Sequence, residues 1–337
     1  MVYAGKFWAV ERCGERASRR YFCRILLLGR VRDYNTPMKI LLVFIALAVF
    51  LLFPGISAEI PILEPALVIA PTISLYPKLL QQGDPLLIVV DNPSRLPPRR
   101  ITAGTTSLEV FPFRNGYAAL LGIDLNSATG TRRVVATLSG GREIAKEFTV
   151  AERMRVTLPL GIPQKLGGNT KASQAKLATT LADENKRLED ILSEKQALWT
   201  EDFLAPLASV TVTDSYGYSR LTGDYTIPHK GVDFRAEKDT PVLAMNRGLL
   251  RLAEQFVIYG NTVVLDHGLG VQTFYMHLSE VYVSPGETVE RGQIIGLSGD
   301  SGYAEFPHLH ISVRIGGVSI DPLVFLSLFQ ASERIQE

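Results

Sequence analysis

Phe306-Pro307-His308-Leu309-His310 lies near the C-terminal end of the sequence and contains two of the chain's five histidines. Side chains two residues apart on a β-strand point to the same face of the sheet. This spacing therefore predicts that His308 and His310 face one site, with Leu309 turned into the core. A second pattern, His229-Lys230-Gly231-Val232-Asp233, places a carboxylate four residues after a histidine. Two such patterns in one region favour a metal site.

The residue types in these patterns suit zinc. A catalytic zinc ion typically has three protein ligands, drawn from histidine, carboxylate and thiolate, and keeps a fourth position open. His229, Asp233 and one member of the His308/His310 pair supply such a set. Zinc lowers the pKa of water and polarises carbonyl groups, which suits amide hydrolysis. His277 and the remaining member of the pair are then candidates for general acid/base catalysis.

Other features of this region have more than one explanation. His267 is as consistent with a structural role as with a functional one. Gly231 is expected to let the chain turn between the first two ligands. Gly299-Asp300-Ser301-Gly302 resembles the nucleophile loop of trypsin-like serine proteases, but Tyr303 follows where that family has a second glycine. The His region of that family is also missing upstream, so Ser301 is interpreted as part of a tight loop before His308.

Composition and the N-terminal residues indicate an exported protein. Charge is nearly balanced, with 35 Lys+Arg and 34 Asp+Glu, so no nucleic-acid partner is expected. Residues 40–53 are apolar, too few to span a membrane, and fit a signal peptide that begins at Met38 and is cleaved after Ala58. An uncleaved anchor is the alternative. Both cysteines, Cys13 and Cys23, precede the cleavage point. The mature chain is expected in the periplasm or cell envelope.

The rest of the chain divides by the spacing of its β-rich runs. Residues 59–160 hold six short runs, and Ser139-Gly140-Gly141-Arg142 is a hairpin signal between two of them, which predicts an immunoglobulin-like β-sandwich. After the Gly167-Gly168 linker, an apolar stripe at helical spacing predicts an amphipathic helix over about residues 171–199. The predicted segments are an N-terminal extension with the signal peptide (1–58), the β-sandwich (59–160), the linker and helix (161–208), a second β domain (209–327) and a C-terminal tail (328–337).

Residues 210–325 resemble the M23 metallopeptidase family, also called LytM or lysostaphin-like. The matching landmarks follow the family's order: Tyr216-Gly217-Tyr218-Ser219-Arg220, residues 229–234, 240–244, 260–268, 275–279 and 286–296, His308-Leu309-His310, and Asp321-Pro322. The resemblance implies a LytM-type antiparallel β domain with a groove. It also implies one zinc ion held by His229, Asp233 and His310, with His308 and His277 activating water and stabilising the transition state.

The resemblance further implies a zinc endopeptidase that hydrolyses peptide cross-links of bacterial peptidoglycan. The alternative is a non-catalytic LytM-type module that binds the cell wall or activates another wall hydrolase. Such modules usually lack one of the zinc or catalytic residues, and this chain has all of them. Residues 59–200 contain no histidine. We expect them to restrain the enzyme as its own regulatory part, or else to position it or dock a regulatory protein.

Overall fold

The computed structural model describes residues 70–92 and 94–330, and this part of the chain is mainly β, as predicted. The signal peptide, the start at Met38 and the cleavage after Ala58 lie outside the described residues and stay predictions. Among the residues described, there is no helix with the length and apolar character needed to cross a membrane.

Two sheets form the N-terminal part. Their strands are β1 Thr72–Tyr76, β2 Leu80–Gln81, β3 Pro85–Asp91, β4 Arg100–Ala103, β5 Thr106–Leu108, β6 Phe111–Phe113, β7 Gly116–Gly122, β8 Gly130–Thr137 and β9 Glu143–Ala151. The sheet orders are β1-β3-β7-β6 and β2-β9-β8-β4-β5. Apolar side chains from both sheets, among them Ile88, Ile101 and Val134, share one buried core. Two sheets thus enclose this core, and the immunoglobulin-like β-sandwich stays a prediction.

A connecting segment leads from these sheets to the rest of the chain. It contains β10 Thr157–Pro159, the 3-10 turn Gln164–Leu166 and the helix α1 Lys171–Glu189. Thr170 begins the helix, because its side-chain oxygen accepts a hydrogen bond from the Ser173 N–H at 3.1 Å.

The predicted extension of this helix to about residue 199 is wrong. Residues 191–198 form no helix and instead bind the large C-terminal sheet. The Glu194 N–H donates to the buried Asp266 carboxylate at 2.7 Å, and the Leu198 N–H donates to the His267 carbonyl at 2.8 Å. These partners replace the hydrogen bonds that a longer helix would have supplied.

The C-terminal part is built on one antiparallel sheet of ten strands. The elements are β11 Val212–Asp214, β12 Ser219–Thr222, β13 Tyr225–Pro228, β14 Val232–Arg235, β15 Pro241–Leu243, β16 Gly248–Gln255, β17 Asn261–Gly268, β18 Val271–Val281, β19 Thr288–Val289, β20 Ile294–Ser298, β21 His308–Ile315, β22 Val318–Ile320 and the helix α2 Pro322–Gln330. The main order is β11-β14-β21-β18-β17-β16-β19, with β15, β20 and β22 attached beside it. The β12–β13 hairpin pairs with β10.

The N-terminal and C-terminal parts share a second core. On β3, Leu86, Ile88 and Val90 face the first core, whereas Leu87 and Val89 belong to the second one. A strand with both faces buried reads as a continuous apolar run, which explains the sequence of β3. The α2 helix contributes four buried apolar side chains to this second core, Phe325, Leu326, Leu328 and Phe329.

A buried ion-pair cluster joins the same two parts. Arg153 reaches Asp84 at 2.5 Å and Asp321 at 3.0 Å, and all three side chains are mostly buried. The N-terminal sheets therefore pack directly on the sheet that carries the histidines.

Candidate metal centre

Three neighbouring strands place the histidine patterns on one face of the large sheet. Asp233 on β14 lies opposite His310 on β21, and Met276 on β18 lies opposite His310 from the other side. Leu309 is fully buried in the core. Because side chains alternate along a strand, His308 and His310 share the opposite face, as their spacing predicts.

His229, Asp233 and His310, here called the metal triad, bring three buried atoms together. His229 Nε2 lies 3.1 Å from Asp233 Oδ1 and 3.0 Å from His310 Nδ1. His310 Nδ1 and Asp233 Oδ1 are 2.7 Å apart. The structure thus brings together all three residues predicted as ligands.

Hydrogen bonds on the far side of each ring decide which nitrogen faces the site. His229 Nδ1 donates to the Ser215 carbonyl at 3.0 Å. His310 Nε2 donates at 2.9 Å to the Ser312 hydroxyl, which itself donates to the Lys230 carbonyl at 2.9 Å. With these partners an imidazole that carries one proton holds it on the outward nitrogen, which leaves the inward nitrogen with a lone pair.

This donor set fits a metal ion. Two imidazole lone pairs and one carboxylate oxygen lie within about 3 Å of one another and repel unless a cation lies among them. A site in which nitrogen and oxygen atoms surround one point at similar distances is typical of first-row divalent metals. His229, Asp233 and His310 are thus the residues that would hold the ion.

Arg220 holds the second oxygen of the triad carboxylate. Its Nη2 lies 2.5 Å from Asp233 Oδ2 and 2.7 Å from Asp214 Oδ2. A guanidinium bonded to a carboxylate favours the ionised form of that carboxylate. The carboxylate is therefore ionised, with Oδ1 directed at the triad. Sequence analysis missed this role, although Arg220 belongs to one of the landmark motifs.

His277 and His308 stand beside the triad with their ring centroids 4.8 Å apart. His277 Nδ1 donates to the Ser301 carbonyl and His308 Nδ1 donates to the Phe306 carbonyl, each at 2.9 Å. Each Nε2 is therefore the nitrogen free to hold or release a proton. His308 Nε2 lies 3.9 Å from Asp233 Oδ1. Burial, followed by the neighbouring His308 and His310, lowers the pKa of His277 well below its usual value, so His277 is neutral.

A β-bulge positions His277. Asn261 of β17 pairs with Leu278 of β18, and Val263 pairs with Tyr275. The single residue Thr262 therefore lies opposite two residues, Met276 and His277. His277 has φ +62°, a left-handed conformation that is unfavourable for a residue with a Cβ. The extra residue leaves Tyr275 and Leu278 in the core and puts both Met276 and His277 on the opposite face.

The remaining histidine and the serine loop are structural. His267 is fully buried, with Nδ1 donating to the Arg247 carbonyl and Nε2 next to the Thr273 hydroxyl, both at 2.8 Å. Burial lowers the pKa of His267 to about 4. The Ser301 hydroxyl donates to the Leu278 carbonyl and accepts from the Asn261 N–H, so it holds the loop before His308.

The chain bends at Gly231, between the first two residues of the triad, as expected. A Cβ at this position would also lie 2.4 Å from His310 Nε2. Close approach to a triad ring is therefore a second reason for glycine here, and sequence analysis did not predict it.

A cavity of about 230 Å³ extends from the triad beneath α1. Leu177 and Leu181 of α1 form one wall, and Ile258, Tyr259 and His277 contribute to the others. The helix thus covers part of the sheet face that carries the triad.

The antiparallel β domain thus carries a buried His-Asp-His triad that could hold a metal ion, with two further histidines beside it. Residues 227–322 match the model of Peptidase family M23, so the chain contains a peptidase M23 domain. This confirms the resemblance found in the sequence. The match lies within the predicted domain 209–327, whose own limits stay predictions.

Several known proteins are similar to this chain. An uncharacterised metalloprotease of Haemophilus influenzae is 45% identical over 97 residues, covering 28% of this chain and 20% of that protein. Peptidoglycan DD-endopeptidase ShyA of Vibrio cholerae is 38% identical over 96 residues, covering 28% of this chain and 22% of that protein. The aligned part therefore spans only about a fifth of these relatives.

One solved structure is similar over a larger part of the chain. A crystal structure from Pseudomonas aeruginosa, assigned to peptidase M23, covers 74% of this chain and 97% of its own. The TM-score is 0.54 and the sequence identity 24%, which shows a shared fold. That similarity extends beyond the matched residues 227–322.

Proposed function

We propose that the protein is a zinc-dependent endopeptidase that hydrolyses peptide cross-links of bacterial peptidoglycan. The observation that carries this proposal is the convergence of two imidazole lone pairs and a carboxylate oxygen beside two further histidines. Relatives named as peptidoglycan DD-endopeptidases support the choice of substrate.

In this proposal the triad holds one zinc ion through His229 Nε2, Asp233 Oδ1 and His310 Nδ1. A bound zinc supplies Lewis acidity, which favours ionisation of water and polarises an amide carbonyl. His308 Nε2 takes a proton from the attacking water, and the imidazolium returns it to the leaving nitrogen as the amide C–N bond breaks. His277 is neutral and its Nδ1–H is bonded to Ser301, so its Nε2 accepts a hydrogen bond from the attacking water and helps to position that water in the transition state.

The fixed geometry around the site supports these roles. The carbonyls of Ser301 and Phe306 hold the two catalytic rings by Nδ1, which leaves both Nε2 atoms for proton transfer or hydrogen bonding. Arg220 prevents Asp233 from rotating its carboxylate away from the triad. Such preorganisation reduces the reorganisation that the reaction would otherwise require.

We also propose that the protein is exported to the periplasm or cell envelope, that its N-terminal sheets are an immunoglobulin-like sandwich, and that the triad lies on the floor of a groove.

Residues 59–200 restrain the enzyme in this proposal. The position of α1 beside the cavity supports this restraint, as do bonds from its connecting segment to the 299–307 loop. Lys165 Nζ donates to the Asp300 carbonyl, and the Tyr303 hydroxyl donates to the Gly161 carbonyl at 2.9 Å.

The test of the proposed function combines two measurements on the purified full chain. Elemental analysis should find one zinc per chain, and mass spectrometry should find cross-linked muropeptides converted to monomers. His308→Ala serves as the matched inactive variant. Zinc binding or wall binding without any conversion of muropeptides would instead establish the non-catalytic LytM-type module.

A further inference from the structure

We propose that Tyr216 is a positioning residue for the metal ion, and that the N-terminal sheets hold it in place through the turn between β2 and β3. This inference rests on the proposed function and adds residues outside the matched range 227–322 to the metal site. The N-terminal part then raises the affinity of the triad for zinc, a contribution separate from any restraint by α1.

The segment before the first ligand is bonded to His229 at three points. The Ser215 carbonyl accepts from His229 Nδ1 at 3.0 Å. The Gly217 N–H donates to the His229 carbonyl at 2.8 Å, and the His229 N–H donates to the Tyr218 carbonyl at 2.6 Å. The orientation of this ligand therefore depends on where residues 215–218 lie.

The side chain of Tyr216 fixes this segment in the core. Tyr216 is 3% exposed, and its hydroxyl donates to the Ser319 carbonyl at 2.8 Å. The Ser215 carbonyl belongs to the peptide unit that ends at the Tyr216 Cα, and such a unit is planar and rigid. A shift of Tyr216 therefore turns that carbonyl away from His229 Nδ1. The residues that pack on the Tyr216 ring thus orient the ligand.

The N-terminal part supplies two of these packing residues. Gly83, in the turn between β2 and β3, lies so close to the ring that an added Cβ would be 2.3 Å from Tyr216 Cε1. Arg153, just after β9, places its guanidinium over the same ring, 5.2 Å from the ring centroid. Arg153 Nε also donates to the Gln82 carbonyl at 2.6 Å. The turn and the guanidinium therefore contact Tyr216 as one surface.

The turn is itself bonded to both parts of the chain. The Gly83 carbonyl accepts from the Asp321 N–H at 2.7 Å, and the Gln82 N–H donates to the Ala151 carbonyl at 3.0 Å. Retreat of the turn would break these bonds. A side chain added at Gly83 therefore moves the Tyr216 ring, by about 1 Å, before the two reach the ordinary contact distance of about 3.5–4.0 Å.

The experiment measures the zinc affinity of the full chain by competition with a chelator, which requires no hydrolysis. The variants are Gly83→Ala, Tyr216→Ala, Tyr216→Phe, and Gly83→Ala combined with Tyr216→Ala. Gly141→Ala is the matched control, because Gly141 has φ +81°, close to the +86° of Gly83, but no atom within 4 Å of an added Cβ. It introduces similar backbone strain without the collision. Melting curves establish that each variant is folded at the temperature of the measurement.

Gly83→Ala and Tyr216→Ala should each weaken zinc affinity by about tenfold or more, within the range for loss of a partner of a metal ligand. Tyr216→Phe should recover most of the affinity, because it keeps the ring. In the Tyr216→Ala background, Gly83→Ala should have no further effect, because the ring that it displaces is absent. Bound cobalt(II) should change its visible spectrum in Gly83→Ala but not in Gly141→Ala, since its d–d bands respond to ligand geometry.

Unchanged zinc affinity in Gly83→Ala or in Tyr216→Ala would overturn the positioning role. An equal loss in Gly141→Ala, or additive losses in the double variant, would also overturn it, because either result indicates a general effect on stability. Equal losses in Tyr216→Phe and Tyr216→Ala would assign the positioning to the hydroxyl bond with Ser319 and reject the role of the N-terminal sheets. If Gly83→Ala does not fold, this comparison of the two Tyr216 variants still decides the question.

The same measurements separate this inference from the proposed function. Zinc affinities in the expected order without muropeptide conversion would reject the proposed function and leave the positioning role standing. Muropeptide conversion by a chain whose zinc affinity ignores Gly83→Ala and Tyr216→Ala would do the reverse.

Discussion

Arg220 shows how much of the site depends on one residue that is neither a ligand nor a catalytic group. Its guanidinium connects Asp233 with Asp214 and keeps the triad carboxylate in place. Arg220→Ala should weaken zinc affinity by about 10–100-fold, the usual cost of losing a partner of a metal ligand. Arg220→Lys should recover part of the loss, because the charge remains but the two-pronged contact does not. Competition with a chelator measures the affinity, and unchanged affinity in Arg220→Ala would contradict the positioning role.

The five site residues should separate into two groups when replaced by alanine. His229→Ala, Asp233→Ala and His310→Ala should each lose zinc as well as activity, since two ligands hold the ion poorly. His308→Ala and His277→Ala should keep most of the zinc and lose about 10²–10⁴-fold in turnover. Elemental analysis and muropeptide release distinguish the groups. Zinc loss in His308→Ala with zinc retained in His310→Ala would require the two roles to be exchanged.

His267 should make the fold sensitive to acid. Its pKa is about 4 in the folded chain and 6.5 ordinarily, so the unfolded chain binds the proton more readily. The stabilising effect is present above pH 6.5 and is lost as pH falls from there toward 4. Between pH 7 and 5 the metal-free protein should lose about 2 kcal/mol through this residue. In denaturant unfolding, His267→Gln should lose less of its unfolding free energy between pH 7 and 5 than the natural chain. Identical pH profiles of the two proteins would show that His267 does not cause the acid sensitivity.

Strand spacing and a four-residue His–Asp interval are local patterns, so the sequence predicted His229, Asp233 and one member of the His308/His310 pair as ligands. The choice of His310 came from the family resemblance. The contacts of Arg220 and Glu184 depend on which strands and loops meet in space, and no local pattern shows that. His277 was found through its motif, but the bulge that turns its ring to the site follows from the register of β17 and β18.

Among the elements, α1 makes the contact on which the proposed restraint can be tested. Glu184 accepts from three backbone N–H groups beside the cavity, and a charged hydrogen bond contributes about 1.5–3 kcal/mol. If the closed state dominates, Glu184→Ala should increase the open population by about 10–100-fold and raise peptidoglycan digestion accordingly. The rate of peptidoglycan digestion should be measured at equal zinc loading. Asp183→Asn is the matched control, because it removes a neighbouring exposed charge from the same helix. An unchanged or slower rate would favour a targeting role for residues 59–200.

The end of α1 explains one limit of sequence-based prediction. The apolar stripe continues past Glu189, so periodicity alone predicts a longer helix. The buried Asp266 and the carbonyl of His267 compete for the backbone of residues 191–198, and tertiary hydrogen bonds prevail over weak helix propensity. In contrast, the Ser139–Arg142 turn connects β8 and β9 as predicted, because a hairpin turn is encoded locally.

At the scale of the whole molecule, the shared core should make the N-terminal and C-terminal parts unfold together. Phe329 is 1% exposed and packs on Phe203, with ring centroids 5.0 Å apart. Phe329→Ala should cost about 3–5 kcal/mol and lower the single melting transition seen by calorimetry. The exposed Leu323→Ala on the same helix is the matched control. Two separate transitions, with only one shifted by Phe329→Ala, would show that the parts are independent.

Sequence analysis predicted β-rich parts on both sides of a helix, but it did not predict how they pack. The alternation of Leu86, Ile88 and Val90 with Leu87 and Val89 shows only that both faces of β3 are apolar. Which partner covers each face depends on the arrangement of α2 and the large sheet, which is a property of the complete fold.

Because α1 belongs to the same chain as the site it covers, uncovering the site is a first-order event. Dilution cannot free the cavity, and crowding more copies together cannot close it. Under the proposed restraint, a competing ligand faces a tethered segment whose local concentration is of order millimolar or higher. A dilute soluble ligand does not reach that concentration, whereas a polymer that presents many peptides side by side reaches it at its own surface.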